Sequence, residues 1–214
     1  MTIHELVASL EPEINAVRQQ IHENPELGLK EYNTSALIEK ELREKTHVDR
    51  IEHIGETGLL VEIKGTKPGT AHCIALRGDM DALPIKEDES HELRSRTDGI
   101  MHACGHDSHG AMLLGAAKVL NRMKDEINGT VKLFFQPGEE VVLGAKKMIA
   151  AGVMEGVDAI MGIHVSSDVP SGQISADSGA RMASGDMFKI TVTGKGGHGA
   201  RPEQCIDAVV VGSA

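Results

Sequence analysis

Cys104 and His106 stand two residues apart in MHACGHD (101–107), a glycine-containing turn ahead of an apolar helical segment. A thiolate and an imidazole at that spacing can face one metal ion, and both suit a borderline cation such as zinc, cobalt, nickel or manganese. A buried structural cysteine beside helix-capping histidines accounts for the same pair equally well. Glu139 and Glu140 follow the apolar run TVKLFFQ through Pro137-Gly138. Adjacent side chains point in different directions, so one carboxylate can hold a metal while its neighbour serves as general base on a water. An acidic pair in a turn is more commonly just exposed, and its place directly after an apolar strand is what favours the chemical reading. His164 ends the run VDAIMGIH, where a lone histidine is more often a hydrogen-bonded core residue than a ligand. Asp79 and Asp81, in LRGDMDALP, follow HCIALRG in the same way. The loop GKGGHGARP (194–202) presents His198 and Arg201 but has neither the spacing of a Walker motif nor the order of a dinucleotide fingerprint. By itself it reads as a flexible turn with an incidental histidine. Open α/β sheets bind ligands at the carboxyl ends of their strands, so groups that follow successive strands can converge on one cleft. That convergence raises the metal reading above the separate alternatives.

The elements that must position these groups are legible from periodicity. Leu6, Leu10, Ile14, Val17 and Ile21 recur at helical spacing, with Thr2 and Glu5 as a capping box and Asn24-Pro25 as a stop. A second helix is expected over 34–45, with Leu37, Ile38 and Leu42 inward. Short β-rich runs at 48–54, 58–65 and 72–78 read as strands, followed by a polar loop at 86–99 and a buried helix over 111–123. Then come a strand at 130–136, a short helix over 143–152 ending on Gly152, and a strand at 157–165. This alternation predicts an α/β sheet covered on both faces by helices. Small polar residues at 180–186 suggest a boundary, giving a catalytic domain over 1–182 and the start of a second domain over 183–214. The latter holds an expected strand at 188–194 and an apolar helical start from 205.

Composition narrows the function classes. The chain has 214 residues, 40% of them hydrophobic, enough to bury a core, and its 32 acidic and 22 basic residues give a formal charge of −10. Such a balance disfavours nucleic acid, whose phosphates reward Lys and Arg, and 2% aromatic residues disfavour a base-stacking platform. The three cysteines are odd in number and widely spaced, and no leader or membrane span is expected, so a cytoplasmic address follows. Of the 11 His, His102, His106, His164 and His198 fall in the motifs above, and of the 24 Gly, Gly194, Gly196, Gly197 and Gly199 crowd the last of them.

In this order, ALRGDMDALP, MHACGHD, FFQPGEE, GIHV and TGKGGHGARP resemble the motifs of the M20 metallopeptidase family. The likeness is to its amidohydrolase branch of hippurate hydrolases, N-acyl-amino-acid amidohydrolases and auxin-conjugate hydrolases. The resemblance implies a zinc-peptidase-like α/β catalytic domain with a mixed sheet flanked by helices, plus the start of an α+β lid or dimerisation domain. It implies two divalent metal ions (Zn, Mn, Co or Ni) held by Cys104, His106, Glu140 and His164, with Glu139 as general base and Asp81 supporting the site from behind. It is less specific about Asp79. His198, in the lid, would hold the scissile carbonyl or its oxyanion across a dimer interface, with Arg201 beside it as a substrate-binding residue. The implied substrate is a small N-acyl amino acid, and the implied assembly a homodimer. One departure is Gly110, where the family usually has Thr. Family members are longer, so the chain is expected to be an N-terminal portion, with the rest of the lid, the returning part of the catalytic domain and a final ligand histidine beyond Ala214. Two alternatives stand beside the amidohydrolase reading: a catalytically incompetent fragment that at most binds metal, and an aminopeptidase or dipeptidase of the same family.

Overall fold

In the computed structural model, which describes residues 2–186 and 188–214, Thr2 opens α1 (Ile3–Glu23) through the expected reciprocal cap. Thr2 Oγ1 accepts the Glu5 N–H at 3.2 Å, and Glu5 Oε2 accepts the Thr2 N–H at 2.8 Å. Leu6, Leu10, Val17 and Ile21 form its buried stripe, and Asn24 closes it by donating from Nδ2 to the Gln20 carbonyl at 2.8 Å. The helix α2 (Tyr32–Glu41) runs into a π-helical turn over Leu42–Thr46, ended by His47 at φ 57°, where the sequence suggests one continuous helix.

Five strands form one sheet: β1 (Arg50–Ile54), β2 (Gly58–Lys64), β3 (His72–Asp79), β4 (Gly129–Gln136) and β5 (Ala159–Gly162), in the order β1-β2-β4-β3-β5. β1 pairs antiparallel with β2 and β2 with β4, whereas β3 lies parallel to both β4 and β5. The sheet is therefore mixed, with three parallel strands at one side. Parallel neighbours need a crossover, and α3 (His106–Arg122) supplies it between β3 and β4. α3 begins at His106 itself, earlier than the 111–123 span expected. α4 (Gly144–Ala150) lies between β4 and β5.

Strand alternation sorts the core. Leu59, Val61 and Ile63 of β2 and Val131, Leu133 and Phe135 of β4 face the helical layer of Val17, Ile21, Ile38, Leu42, Leu113, Leu114 and Ala117. Leu60 and Phe134 face the other way, onto Met148 and Val153. At about 1.5–3 kcal/mol per fully buried large apolar side chain, the first cluster is the main source of stability. The expectation of two covered faces fails at β5, all four residues of which are exposed. The strand expected over 157–165 is also shorter, ending at Gly162, so His164 lies in the following loop.

The chain divides into two compact units, Met1–Ile174 and Ser175–Ala214. The boundary expected at 182/183 lies inside the second. Residues 188–194 are not a strand as expected: among the described residues no strand pairs with them, and a lone alternating segment does not hold a strand without a partner. The second unit contains a bridge between Lys195 and Ile206, a 3₁₀ turn at Pro202–Gln204 and α5 (Ala208–Ser213), capped by Asp207. Among the described residues no helix is long and apolar enough to cross a membrane.

Candidate metal centre

The register of the sheet brings the chemistry to one edge. Asp79, the last residue of β3, pairs with Gln136, the last of β4, so the Asp79–Asp81 segment and the Pro137–Glu140 turn leave the sheet side by side. β5 ends beside Arg77. The first turn of α3 reaches this edge because Gly78 has no side chain; a Cβ there would sit 2.9 Å from the His109 carbonyl oxygen. The site thus lies at the carboxyl ends of three parallel strands, as expected for such sheets.

Two fully buried carboxylates hold the acidic turn. Asp81 accepts the Glu139 N–H on Oδ1 and the Glu140 N–H on Oδ2, each at 3.0 Å, and its Oδ1 also lies 3.2 Å from His106 Nδ1. Glu31 accepts the Gly138 N–H at 2.7 Å, the Leu29 N–H at 2.8 Å and the Thr57 hydroxyl at 2.7 Å. With Nδ1 of His106 engaged by Asp81, Nε2 points at carboxylate oxygens: Asp79 Oδ2 at 3.7 Å, Glu140 Oε1 at 3.7 Å and Glu139 Oε2 at 3.9 Å. Cys104 Sγ lies 3.5 Å from His164 Nε2. Donor atoms of Cys104, His106 and His164 fall within 4.8 Å of one another, as do those of His106, Glu139 and Glu140, and those of Asp79, His106 and His109. The structure therefore brings Cys104, His106, Glu139, Glu140 and His164 together, with Asp79 and Asp81 beneath them.

Two atoms here are buried and lack a partner, His106 Nε2 and Glu140 Oε1, while Asp79 Oδ2 beside them meets only the Arg77 guanidinium. Leaving one such group unpaired costs about 1–3 kcal/mol, and these two lie 3.7 Å apart. The electrostatics point the same way. Burial, then the nearby Glu140, Glu139 and Asp79 carboxylates, push the Cys104 thiol up to about 11. Burial, together with Glu139 and Asp81, raises Glu140 against the opposing pull of His106. Burial acts to raise Asp79 too, but the His109 hydrogen bond and the charge of Arg77, whose Nη1 lies 2.6 Å from Oδ2, bring it down to about 2. A thiol, imidazoles and crowded carboxylates with orphaned buried atoms fit divalent cations of borderline softness.

Several supporting residues escape local sequence patterns. His22 of α1 is clamped between Asp107 Oδ2 at 3.0 Å and Glu87 Oε1 at 3.1 Å, which ties the polar loop to the start of α3. The Asp107 hydrogen bond, against the opposing effect of burial, raises the His22 pKa. His102 is buried with neither ring nitrogen partnered, and burial depresses it to about 4. His109, one turn beyond His106, has both nitrogens engaged; the HDSH spacing was the available signal. His198 and Arg201 belong to the second unit, where the Arg201 N–H donates to the His198 carbonyl at 2.8 Å and the Ala200 N–H to His198 Nδ1 at 3.2 Å.

A soft-and-hard donor set at the carboxyl edge of a mixed α/β sheet defines a candidate metal centre. The chain belongs to the peptidase family M20/M25/M40, whose model matches residues 75–211. It is 50% identical over 208 residues to thermostable carboxypeptidase 2 of Saccharolobus solfataricus, covering 96% of this chain and 52% of that protein. It is 41% identical over 212 residues to an N-acyl-L-amino acid amidohydrolase of Geobacillus stearothermophilus, covering 99% and 56%. Among solved structures, a dinuclear metal-binding M20 peptidase of Bacillus subtilis matches with a TM-score of 0.71 at 41% identity, over 76% of this chain and 45% of that one. The chain thus spans about half the length of the curated relatives it matches.

Proposed function

We propose that the chain carries the metal-binding part of an amidohydrolase that cleaves the amide bond of N-acyl amino acids. The observation that carries this reading is the convergence of His106 Nε2 and Glu140 Oε1, buried and unpartnered, next to the Cys104–His164 pair. Cys104, His106, Glu140 and His164 would hold two divalent ions. When bound, these supply Lewis acidity toward the scissile carbonyl and the attacking water. Glu139 has its backbone pinned by Asp81 while its side chain is 42% exposed, the placement a general base needs to reach solvent and substrate. Glu139 takes a proton from the water as its oxygen bonds the carbonyl carbon. It returns that proton to the amide nitrogen as the C–N bond breaks, releasing a carboxylic acid and an amino acid. Asp81 touches no reacting atom and acts by positioning Glu139, Glu140 and His106. By the family resemblance, His198 would hold the scissile carbonyl or its oxyanion across a dimer interface, and Arg201 would bind substrate.

A carboxypeptidase substrate is itself an N-acyl amino acid whose acyl group is a peptide, so the names of both relatives fit one leaving group: an amino acid with a free carboxylate. A homodimer and a cytoplasmic address complete the proposal. The test pairs two substitutions in protein assayed on N-acetyl, hippuryl and peptidyl amino acids. Glu139→Gln keeps metal content, by elemental analysis, and lowers turnover about 10²–10⁴-fold, the usual worth of a general base. Cys104→Ser lowers metal content. Metal loss in Glu139→Gln, or unchanged metal affinity in Cys104→Ser, refutes the assignment.

A further inference from the structure

The loop carrying His164 has little to hold it. β5 ends at Gly162, and Ile163, His164 and Val165 are all exposed. Yet His164 must be placed to within a few tenths of an ångström if it is to share an ion with Cys104. Two contacts dock the loop on the start of α3, and both involve Val165. Its side chain occupies the space beside Gly105, where a Cβ would lie 2.4 Å from Val165 Cγ2. Its N–H donates to His109 Nε2 at 2.9 Å. The neighbouring His164 is drawn in by the same pair: its Nδ1 lies 2.5 Å from the Val165 carbonyl oxygen, and its ring packs edge-on to that of His109, centroids 4.5 Å apart.

His109 can accept on Nε2 only if its ring proton sits on Nδ1, and Nδ1 lies 2.6 Å from Asp79 Oδ1. Asp79 is set in turn by Arg77, whose Nε donates to Gln136 Oε1 at 2.8 Å. The relay thus runs from the ends of β3 and β4, through the first turn of α3, to the backbone beside His164. Although His109 lies within 4.8 Å of Asp79 and His106 donor atoms, both of its nitrogens are engaged. It is spoken for as a hydrogen-bonding group.

We propose that His109, oriented by Asp79 and Arg77, is the positioning residue that sets His164 against Cys104 and His106 by holding the Val165 N–H. This rests on the reading of His164 as a ligand. A histidine fixed by a carboxylate is a common support behind metal ligands; here it acts through the ligand's own backbone.

The test titrates the chain with cobalt(II) alone, reading d–d absorption and the thiolate charge-transfer band, with the thermal midpoint of each metal-free form measured alongside. A glutamine at 109 can place an acceptor where Nε2 stands, whereas an asparagine retains only the group facing Asp79. His109→Asn is expected to weaken cobalt binding about 10–100-fold, the usual cost of losing such a support, and His109→Gln to stay within about threefold of the unmodified chain. Equal weakening in both, or in neither, overturns the proposal, because a merely structural role would not follow the acceptor. His164→Ala separates the two layers of the argument. If it binds cobalt as the unmodified chain does, the ligand reading fails; if it loses binding while His109→Asn does not, only the positioning role fails. Hydrogen exchange of the unmodified chain gives a readout free of substitutions: the Val165 amide is expected to be protected although its residue is exposed, and exchange at the rate of a free amide overturns the proposal.

Discussion

Replacing Asp81 with Asn tests whether a single buried carboxylate holds the site together. The change keeps shape but alters one oxygen. Oδ1 serves both the Glu139 N–H and His106 Nδ1, and Oδ2 serves the Glu140 N–H, so the amide does best with its oxygen toward the first pair. Its NH₂ then faces the Glu140 N–H, donor against donor, in a site where Asp81 is 1% exposed. The unpaired donors cost about 1–3 kcal/mol, and the two retained bonds each lose about 1 kcal/mol on passing from a charged to a neutral acceptor. Removing one of several crowded carboxylates offsets part of this, leaving a net loss of about 2–4 kcal/mol. At about 2–4 °C per kcal/mol for a chain of this size, the metal-free midpoint should fall by about 5–15 °C. The chain has no Trp, so circular dichroism in urea and calorimetry are the suitable probes. Asp125→Asn, on the surface, provides the reference. A change in Asp81→Asn no larger than that reference, within about 0.5 kcal/mol, would mean that the acidic turn is held by other contacts.

Two further outcomes follow from the scaffold. Val142, two residues beyond Glu140, sits at φ 57°, a conformation that costs an L-residue about 1–2 kcal/mol, while glycine's extra backbone freedom costs about 0.5–1 kcal/mol. Val142→Gly should therefore raise the urea midpoint at unchanged slope, by about 0.5–1 kcal/mol, and a lower midpoint refutes the strain. Lys118 is buried between Glu13 and Glu41, at 2.7 Å from each, and Lys45 closes the cluster. The Lys118 hydrogen bond, opposed by burial and aided by Lys45, brings Glu13 down to about 2 from 4.5. A depressed carboxylate stabilises the fold above its unfolded value, so this contribution, about 1 kcal/mol after solvent screening, is lost as pH falls from about 5 to 2. Lys118→Met should flatten that part of the pH–stability curve; curves parallel to the unmodified chain's refute the attribution.

What could be seen in the sequence was local. The stripe of Leu6, Leu10, Val17 and Ile21 and the Thr2–Glu5 cap depend on neighbours within a few turns, and they form as expected. Glu139, Glu140 and His164 are visible because each stands next to the end of an apolar run, and Cys104 and His106 because they share a turn ahead of one, signals that survive without knowing which strand lies beside which. The supports were not visible, since Glu31 reaches Gly138, His109 reaches Val165 and His22 reaches Glu87 across large sequence separations. The strand expected over 157–165 outruns β5 for a related reason. The apolar pattern runs on through Val165, but pairing with β3 stops at Gly162, and the Val165 N–H is taken by His109 instead of a strand.

Counting the acceptors oxygen by oxygen separates scaffold from ligand among the buried acids. Both oxygens of Asp81 are used, and Glu31 accepts on both of its own, Oε1 taking two N–H groups and Oε2 the Thr57 hydroxyl. Such carboxylates have little left to offer an ion. Glu140 differs: its Oε1 is buried with no partner, and burial, with Glu139 and Asp81 nearby, raises its pKa. Asp79 is intermediate, with Oδ1 committed to His109 and Oδ2 held by the Arg77 guanidinium at 2.6 Å. The folded chain thus spends Asp81 and Glu31 on shaping the turn and leaves Glu140 short of a cation. Charge supplied at His106 Nε2 and Glu140 Oε1 should stabilise the fold most at these atoms, and a rise in thermal midpoint with cobalt that vanishes in Glu140→Gln but persists in Glu31→Gln is the signature this division requires.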